Sequence, residues 1–300
     1  VRGSHIVLPK FAGAPDAAVY TEAIDGRPIF VIPWNEQVLV GTTEVADSND
    51  PGTVRPSPDE IDYLLRSLRR LFPGVPASRD DMHYAFAGVR PLPYSPKNSP
   101  SDVTRKHYFH DHAGEGAAQM ISVIGGKLTT AGSLARECAL KIGVRISAST
   151  LTVASESNAD VALDQWMLDV AKKGGIAADS AHGIAEWYGK RALVVADLAR
   201  ASAEMRARLC SHTRHIVAEA ADAFNNECAC TLADVLLRRV PVALGACWSS
   251  SCSRDAATRI GAAMAWSETR VALELEAFER ERDGFLQKAS QAGTMVEAKA

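Results

Sequence analysis

The spacing of apolar residues changes part-way along the chain, from a β-type pattern to a helical one. This change limits the possible folds more than any other feature of the sequence. Up to about residue 143, short apolar runs of β type alternate with turn residues. We predict strands at Pro28–Trp34 and Val38–Thr43. From about residue 158 the chain is rich in alanine, and apolar residues recur at helical spacing. The sequence therefore predicts an α+β part followed by an all-α domain.

Two helices have clear sequence signals. Ser57 is followed by proline and then by Glu60, which is the pattern of a capping box, and apolar residues recur behind it until Pro73-Gly74. At the other end of the chain, an apolar stripe predicts one long helix from about Asp255 to Asp283.

Composition excludes several classes of protein. A chain of 300 residues with 47% hydrophobic and 23% charged residues is typical of a globular protein with room for two domains. The net charge is −3, from 33 basic and 36 acidic residues, so we expect no nucleic-acid partner. Six cysteines are too few for a disulfide scaffold and indicate a reducing compartment. No apolar run approaches the roughly 20 residues of a transmembrane helix.

The stretch "SVIGGKLTTAGSLARECALKIG", residues 122–143, has the pattern of an anion-binding turn. Gly125 and Gly126 let the backbone approach a ligand closely. Thr129 or Thr130 caps the predicted helix, whose first N–H groups favour an anion, and Lys127 adds a positive charge. The alternative is an ordinary glycine-containing turn with a surface lysine. The spacing is not that of a P-loop.

Other single residues leave their roles open. Arg90 lies between a pair of small residues and a proline, and Arg105 precedes a predicted strand. Arginine binds phosphate or carboxylate in a bidentate manner, but the pattern alone favours two solvated arginines in structural ion pairs. His5 begins a predicted strand, where a lone histidine is more often structural.

Histidines and cysteines raise the question of a metal. His107, His110 and His112 alternate along a β-like run and are expected to share one face, but no carboxylate or cysteine accompanies them in the pattern. A second group lies in alanine-rich helical sequence, where cysteine behaves as a small buried hydrophobe: Cys210, His212, His215, Cys228 and Cys230. We expect no metal site from either group.

Several segments together resemble one family. They are "RGSHIVLP", "RPIFVIPW", "VLVGTTE", "VRPSPDEIDYLL", "YAFAGVRPL", "TRKHYF" and "ISVIGGKLTT", in this order. The chain resembles the C-terminal half or more of an FAD-dependent glycerol-3-phosphate dehydrogenase, and "TLADVLLRRVPVAL" is similar to that family's helical domain. The resemblance implies an α/β flavoprotein remnant with an antiparallel substrate-domain sheet. It implies a substrate-binding part at 1–115, a returning strand and helix of the FAD domain at 116–145, and a helical domain at 150–300.

The resemblance also implies a function. FAD would oxidise sn-glycerol 3-phosphate to dihydroxyacetone phosphate, and electrons would pass to quinone. The enzyme would be cytoplasmic and peripheral on the inner face of the membrane, and it would be able to form a homodimer. No G-x-G-x-x-G occurs in the sequence, so we expect full activity to need an N-terminal FAD-binding segment. The alternatives are an inactive truncated product and an α-glycerophosphate oxidase that uses oxygen.

Roles for individual residues follow from the same resemblance. His5 matches a general base for the substrate hydroxyl, and Arg90 matches an arginine that faces flavin and substrate. Arg105 would bind the substrate phosphate, and Lys127 would neutralise reduced flavin or contact substrate. The implied contacts to FAD are Gly125, Gly126, Lys127, Leu128, Thr129 and Thr130.

Overall fold

A computed structural model of the chain describes residues 1–90, 92, 106–143, 163–247 and 249–288. The first part contains a five-stranded antiparallel sheet in the order β2-β3-β4-β1-β5. Its strands are β1 (Arg2–Pro9), β2 (Val19–Glu22), β3 (Pro28–Trp34), β4 (Gln37–Gly41) and β5 (Tyr84–Val89). The helix α1 (Pro58–Leu71) lies between β4 and β5 in sequence. The predicted antiparallel sheet and the capped helix are confirmed.

One face of this sheet packs against α1. Ile6 and Leu8 alternate along β1 and join Ile61, Leu64 and Leu68 of the helix in one buried apolar core. The helix starts as the sequence predicts, because Ser57 accepts a hydrogen bond from the Glu60 backbone while the Glu60 side chain accepts one from the Ser57 backbone. Capping and core packing therefore fix α1 at its N-terminal end and along its inner side.

The Glu60 carboxylate is also the polar centre beneath the sheet. It accepts hydrogen bonds from the hydroxyls of Ser4 at 2.8 Å and Thr43 at 2.6 Å, and it pairs with Arg2 at 2.8 Å. Burial would raise the pKa of Glu60, but the hydrogen bonds from Thr43, Ser57 and Ser4 outweigh burial and lower it. A buried charge is thus fully partnered and ties β1 to α1.

A second, smaller unit follows. The strands β6 (Tyr108–Asp111) and β7 (Ile121–Ile124) form an antiparallel hairpin, and α2 (Ala131–Lys141) comes after it. The hairpin pairs strands from either side of residue 115, where the sequence placed a boundary. No residue of α2 is buried, and a hydrogen bond of 2.9 Å between His107 and Glu137 links hairpin and helix.

The remainder is helical, as predicted. Its helices are α3 (Leu163–Gly174), α4 (Ala178–Tyr188), α5 (Ala192–Arg200), α6 (Ala203–Arg206), α7 (Val217–Asn226), a π-helical turn (Asp234–Arg239), α8 (Ser250–Ala263) and α9 (Glu268–Phe285). Their alanine-rich faces form two buried clusters. In the described part of the chain, none of the helices combines the length and apolar character required to cross a bilayer.

The prediction of a single long helix at Asp255–Asp283 is wrong, because the chain breaks between α8 and α9. Ala265 has φ = 52°, in the left-handed region, so the helix cannot continue through it. Ser267 then caps α9 by accepting a hydrogen bond from the Arg270 backbone. The apolar stripe runs through the break and conceals it in the sequence.

The helical domain meets the sheet on the face opposite α1. The carbonyl oxygen of Leu244 accepts hydrogen bonds from the Gln37 side chain at 2.8 Å and from the Tyr84 hydroxyl at 2.7 Å. Phe285, at the end of α9, lies 5.7 Å from Phe86 between ring centroids. The second half of the chain therefore forms part of the wall around the central strands.

Candidate functional site

His5 lies near the centre of the sheet, on the face opposite α1. It pairs with Gly41 of β4 on one side and with Phe86 of β5 on the other. A Cβ atom at position 41 would fall 2.8 Å from His5 Nε2, so glycine is what makes room for the imidazole. The strand register and one glycine therefore place this ring.

The surroundings of His5 keep the imidazole neutral. The ring stacks on Phe86 with 5.0 Å between centroids and 9° between planes. Its Nδ1 is buried and has no hydrogen-bond partner among the described residues. Burial, and then the positive charge of Arg90, lower the pKa of His5 from 6.5 to about 4. At neutral pH His5 can accept a proton.

Arg90 lies beside His5, directly after β5. Its Nη2 donates to the Thr42 hydroxyl at 3.1 Å, and its Nη1 is 4.0 Å from Glu44. A Cβ atom at Gly3 would come within 2.6 Å of the Thr42 hydroxyl and 2.7 Å of Arg90 Nη2, so this guanidinium also depends on a glycine. The structure thus brings His5 and Arg90 together.

Sequence reasoning named neither Thr42 nor Glu44 as site residues. Both belong to the segment "VLVGTTE", which was used to support the family resemblance. Their role in holding Arg90 depends on the pairing of β1 with β4, which places residue 41 against residue 5. The segment that contains Thr42 and Glu44 was recognisable in the sequence, but its contact with Arg90 follows only from the register of the sheet.

Two exposed aromatic residues extend the row beyond His5. Phe30 pairs with Gly41 across the sheet, and Tyr20 pairs with Phe30. The two rings lie 4.8 Å apart, and 65% of Tyr20 and 40% of Phe30 is exposed. The face of the sheet that carries His5 therefore continues into an uncovered apolar surface.

The Gly125-Gly126 turn has the backbone expected of a close-approach turn. The φ values are 78° and 98°, in the left-handed region that favours glycine, and a Cβ atom on Gly125 would lie 3.1 Å from the carbonyl oxygen of Lys106. Leu128 is 93% exposed. The turn leaves its outer side open.

The predicted threonine cap is confirmed in its position, at Thr130, but the side-chain hydrogen bond of a cap is not formed. Thr130 occupies the N-cap position of α2, but its hydroxyl accepts from the Lys127 backbone N–H at 3.3 Å and donates to the Lys127 carbonyl at 3.0 Å. Thr129 lies inside the short 3-10 turn Leu128–Thr130 that precedes α2. The Thr130 side chain therefore makes no capping hydrogen bond to the first turn of α2, and the N–H of Ala131 donates to the Leu128 carbonyl instead.

The structure does not join this turn to the histidine site. The hydrogen bonds described for Lys127 run to Thr130. Arg105 lies outside the described residues. That Lys127, Arg105 and the glycine turn act with His5 and Arg90 stays a prediction.

The structure does not bring together either of the two histidine and cysteine groups as they were defined from the sequence. His110 and His112 both bond Glu115, at 2.6 and 2.7 Å, whereas His107 bonds Glu137, so the three histidines do not act as one set. In the second group, His215 bonds Glu219 and the exposed Cys228 and Cys230 lie apart from Cys210 and His212.

Comparison with known proteins agrees with this architecture. The family described as FAD dependent oxidoreductase matches residues 1–131, and the C-terminal domain of alpha-glycerophosphate oxidase matches residues 123–271. A glycerol-3-phosphate dehydrogenase of Synechocystis sp. is 34% identical over 255 residues, which cover 81% of this chain and 45% of that protein. The chain belongs to the FAD-dependent glycerol-3-phosphate dehydrogenase family.

Other relatives match shorter stretches of the chain. The aerobic glycerol-3-phosphate dehydrogenase of Escherichia coli is 38% identical over 143 residues, covering 47% of this chain and 28% of that protein. D-erythritol 1-phosphate dehydrogenase of Brucella abortus is 39% identical over 136 residues, covering 45% of this chain and 26% of that protein. The chain spans less than half the length of these relatives.

The fold is also that of a solved member of the family. The crystal structure of a glycerol-3-phosphate dehydrogenase from Bacillus halodurans, complexed with FAD, superposes with a TM-score of 0.69 at 21% identity. The match covers 95% of this chain and 56% of that chain. The sheet and the helical domain of this chain therefore have the fold of this family.

Proposed function

We propose that this chain is the substrate-facing part of an FAD-dependent enzyme that oxidises sn-glycerol 3-phosphate to dihydroxyacetone phosphate. The observation that carries the proposal is the neutral, half-buried imidazole of His5 beside the guanidinium of Arg90. Oxidation of a phosphorylated alcohol needs a proton acceptor for the hydroxyl and a cation for the anionic substrate. The two residues supply both within one face of the sheet.

The described residues fit a flavin. Gly125 and Gly126 have no side chain on the turn, and the first turn of α2 has no side-chain cap from Thr130. Backbone N–H groups of this turn, together with Leu128 and Thr129, would hold FAD, and Lys127 would neutralise negative charge on it. Bound FAD would supply the hydride acceptor of the reaction.

His5 would act on the hydroxyl of the substrate. Its Nδ1 is fully buried, which leaves Nε2, above Gly41, as the nitrogen that a substrate can reach. With a pKa of about 4, the imidazole is unprotonated at neutral pH and accepts the hydroxyl proton at Nε2. The stack on Phe86 holds the ring plane during this transfer.

Arg90 would bind the phosphate or stabilise negative charge on the oxygen as it becomes a carbonyl. Thr42 and Glu44 orient its guanidinium. Arg105 and Lys127 would be the further cations for a dianionic phosphate. On this proposal, residues 1–115 bind substrate, 116–145 return to the FAD domain, and 150–300 form the helical domain.

The electron acceptor has two candidates. Quinone is supported by the relatives named aerobic glycerol-3-phosphate dehydrogenase. With quinone as acceptor, the enzyme would bind peripherally to the inner face of the membrane. A homodimeric assembly is a separate part of the proposal. Oxygen is supported by the match of residues 123–271 to the C-terminal domain of alpha-glycerophosphate oxidase. Peroxide release during turnover would distinguish the oxidase from the dehydrogenase.

A second substrate also has a specific basis. The chain is about as similar to D-erythritol 1-phosphate dehydrogenase, 39% identical over 136 residues, as to the enzyme from Escherichia coli, 38% identical over 143 residues. Both substrates are phosphorylated polyols, so Arg90 and His5 would serve either. The match over 255 residues to a glycerol-3-phosphate dehydrogenase favours sn-glycerol 3-phosphate.

The test is flavin reduction without oxygen. The purified chain is mixed with FAD, alone and with the N-terminal segment of the Synechocystis relative supplied in trans, and the visible flavin band is followed. We expect sn-glycerol 3-phosphate to bleach the band and His5→Gln to slow bleaching by at least about 100-fold. Glycerol, which lacks the phosphate, is the control. Bleaching by D-erythritol 1-phosphate alone would reassign the substrate, and no bleaching by either in folded, flavin-loaded protein would overturn the proposal.

A further inference from the structure

Four potential metal ligands converge in the helical domain, away from His5 and Arg90. His212 Nδ1 lies 3.1 Å from Cys252 Sγ and 3.4 Å from Cys247 Sγ. The ligand atoms of Cys210, His212 and Cys252 all lie within 4.8 Å of one another. Two thiols and one imidazole thus form a compact set, and the third thiol, Cys247, lies beside its histidine.

Two separate segments bring these residues together. Cys210 and His212 lie in the loop between α6 and α7, where hydrogen bonds from Leu209 N to His215 O and from Thr213 N to Cys210 O form a tight turn. Cys247 precedes α8, and Cys252 lies in its first turn, which Ser249 caps.

The distances suit a tetrahedral ion. Zinc bonds of about 2.3 Å to sulfur and about 2.0 Å to nitrogen, arranged tetrahedrally, place ligand atoms roughly 3.5–3.8 Å apart. The separations of 3.1 and 3.4 Å from His212 Nδ1 to the thiols of Cys252 and Cys247 require shifts of a few tenths of an ångström, and Cys247 would move toward the other thiols to complete the tetrahedron. Three cysteines and one histidine are a ligand set of structural zinc sites, and soft thiolates disfavour magnesium and calcium.

We propose that Cys210, His212, Cys247 and Cys252 bind one structural Zn²⁺ ion that clamps the α6–α7 loop to the start of α8. Four protein ligands leave no open position, so the role is structural rather than catalytic. The site does not depend on the proposed function, because none of its ligands contacts His5, Arg90 or the glycine turn in the described structure.

Two of the four proposed ligands can be reached from solvent, so an ion can enter the site. Cys210 and Cys252 are buried, whereas Cys247 is half-buried and His212 is exposed. Cys210, His212 and Cys247 line a cleft that also reaches Gln37 and His83 of the sheet. Solvent therefore reaches the ligand set from one side, and the opposite side is closed by protein.

The other cysteines supply a matched control. Cys228 and Cys230 are exposed, and the described contact of the Cys230 thiol is with the Cys228 carbonyl at 3.7 Å. They have the same chemistry as the ligands but lie outside the cluster. The double variant with Cys228→Ser and Cys230→Ser should therefore keep any metal that the cluster binds.

The first experiment measures zinc in the full chain, purified under reducing conditions and dialysed against EDTA. We expect about one zinc per chain in the wild type and in the Cys228/Cys230 double variant. The exposed His212→Ala should weaken zinc binding by more than about 10-fold. Cys252→Ser should abolish stoichiometric binding.

A second measurement does not depend on a variant that folds. Wild-type chain stripped of zinc is titrated with Co²⁺, because cobalt in a tetrahedral thiolate site gives strong visible bands and thiolate charge-transfer bands. Bands that saturate at one equivalent and disappear when zinc is added support the site. Folded wild type that holds no zinc and gives no cobalt bands would overturn it, as would a Cys210–Cys252 disulfide in protein kept under reducing conditions.

Discussion

The two faces of the five-stranded sheet are built on opposite plans. On the α1 face, Ile6, Val40 and Ala85 are neighbours across three strands and are fully buried. On the other face, the equivalent row consists of Gly41, His5 and Phe86, and it continues to exposed aromatic residues. The same three strands therefore supply a closed core and an open site.

The difference separates a face whose residues stabilise the fold from a face whose residues are available for chemistry. The α1 face satisfies its one buried carboxylate with several donors, whereas the other face leaves His5 Nδ1 without a described partner. A buried, unpartnered polar atom reduces stability. Its retention beside Arg90 is expected of a site residue, whose proposed contact with substrate is made by the other ring nitrogen, Nε2. Four predictions test this division.

The largest effect is expected at Glu60. Glu60→Ala removes the shared acceptor of Ser4 and Thr43 and leaves Arg2 without this ion pair, so the free energy of unfolding should fall by about 3–5 kcal/mol. Asp59→Ala, at the exposed neighbouring position, should change it by less than about 0.5 kcal/mol. Urea unfolding of both variants measures the difference. Equal effects would mean that Glu60 is not the polar centre of this face.

The next effect concerns apolar packing on the same face. Leu64→Ala leaves a cavity between α1 and the sheet and should cost about 2–5 kcal/mol. Leu140→Ala, on α2, removes a side chain that is 65% exposed and should cost less than about 0.5 kcal/mol. If the α2 variant proved the more damaging one, the hairpin and α2 would pack against a surface that the described contacts do not include.

The third prediction concerns His5, on the face opposite α1, and the dependence of stability on pH. Because the pKa of His5 is lowered, the unfolded chain binds a proton between pH 6.5 and about pH 4 that the folded chain does not, so stability falls as pH falls through this window. The shift corresponds to at most about 3 kcal/mol. His5→Gln should flatten the curve over that range, while carboxylates such as Glu60 titrate alike in both proteins. Parallel curves for wild type and variant would contradict the depressed pKa.

The smallest effect is expected from a single methyl group. Gly41→Ala places a Cβ atom against the His5 ring and should cost about 1–3 kcal/mol while moving the imidazole. Gly88→Ala lies on the same face with nothing within 4 Å of its added Cβ, so it serves as the control. Histidine NMR signals report the ring position directly. An unmoved His5 signal in Gly41→Ala would show that Gly41 is not what admits the ring.

Local signals in the sequence were sufficient for much of the fold. The capping box of Ser57 and Glu60 depends on residues three apart, and it is present as predicted. The alternation of β1 and the alanine-rich helical pattern likewise identify the sheet and the helical domain. The break at Ala265 was missed because an apolar stripe can run through two consecutive helices, and nothing nearby marks a left-handed residue.

Local signals in the sequence predicted only part of the candidate site. His5 and Arg90 were identified through resemblance, but their contact depends on β1 lying between β4 and β5. Phe285 reaches Phe86 from a helix about 200 positions away, so no local pattern could place it. The cysteine cluster is similar, because 35 residues separate His212 from Cys247 and the two segments meet through the packing of α7 and α8.

The carbonyl of Leu244 has an implication for how this protein can diverge. Gln37 and Tyr84 both recognise main chain there, and every amino acid offers that oxygen. The Leu244 side chain also packs against the cluster of Val7, Tyr84 and Leu286, so the joint combines main-chain hydrogen bonds with one apolar contact. A substitution at 244 therefore keeps both hydrogen bonds and changes the apolar contact, whereas a substitution at 37 or 84 removes a hydrogen bond between the two halves.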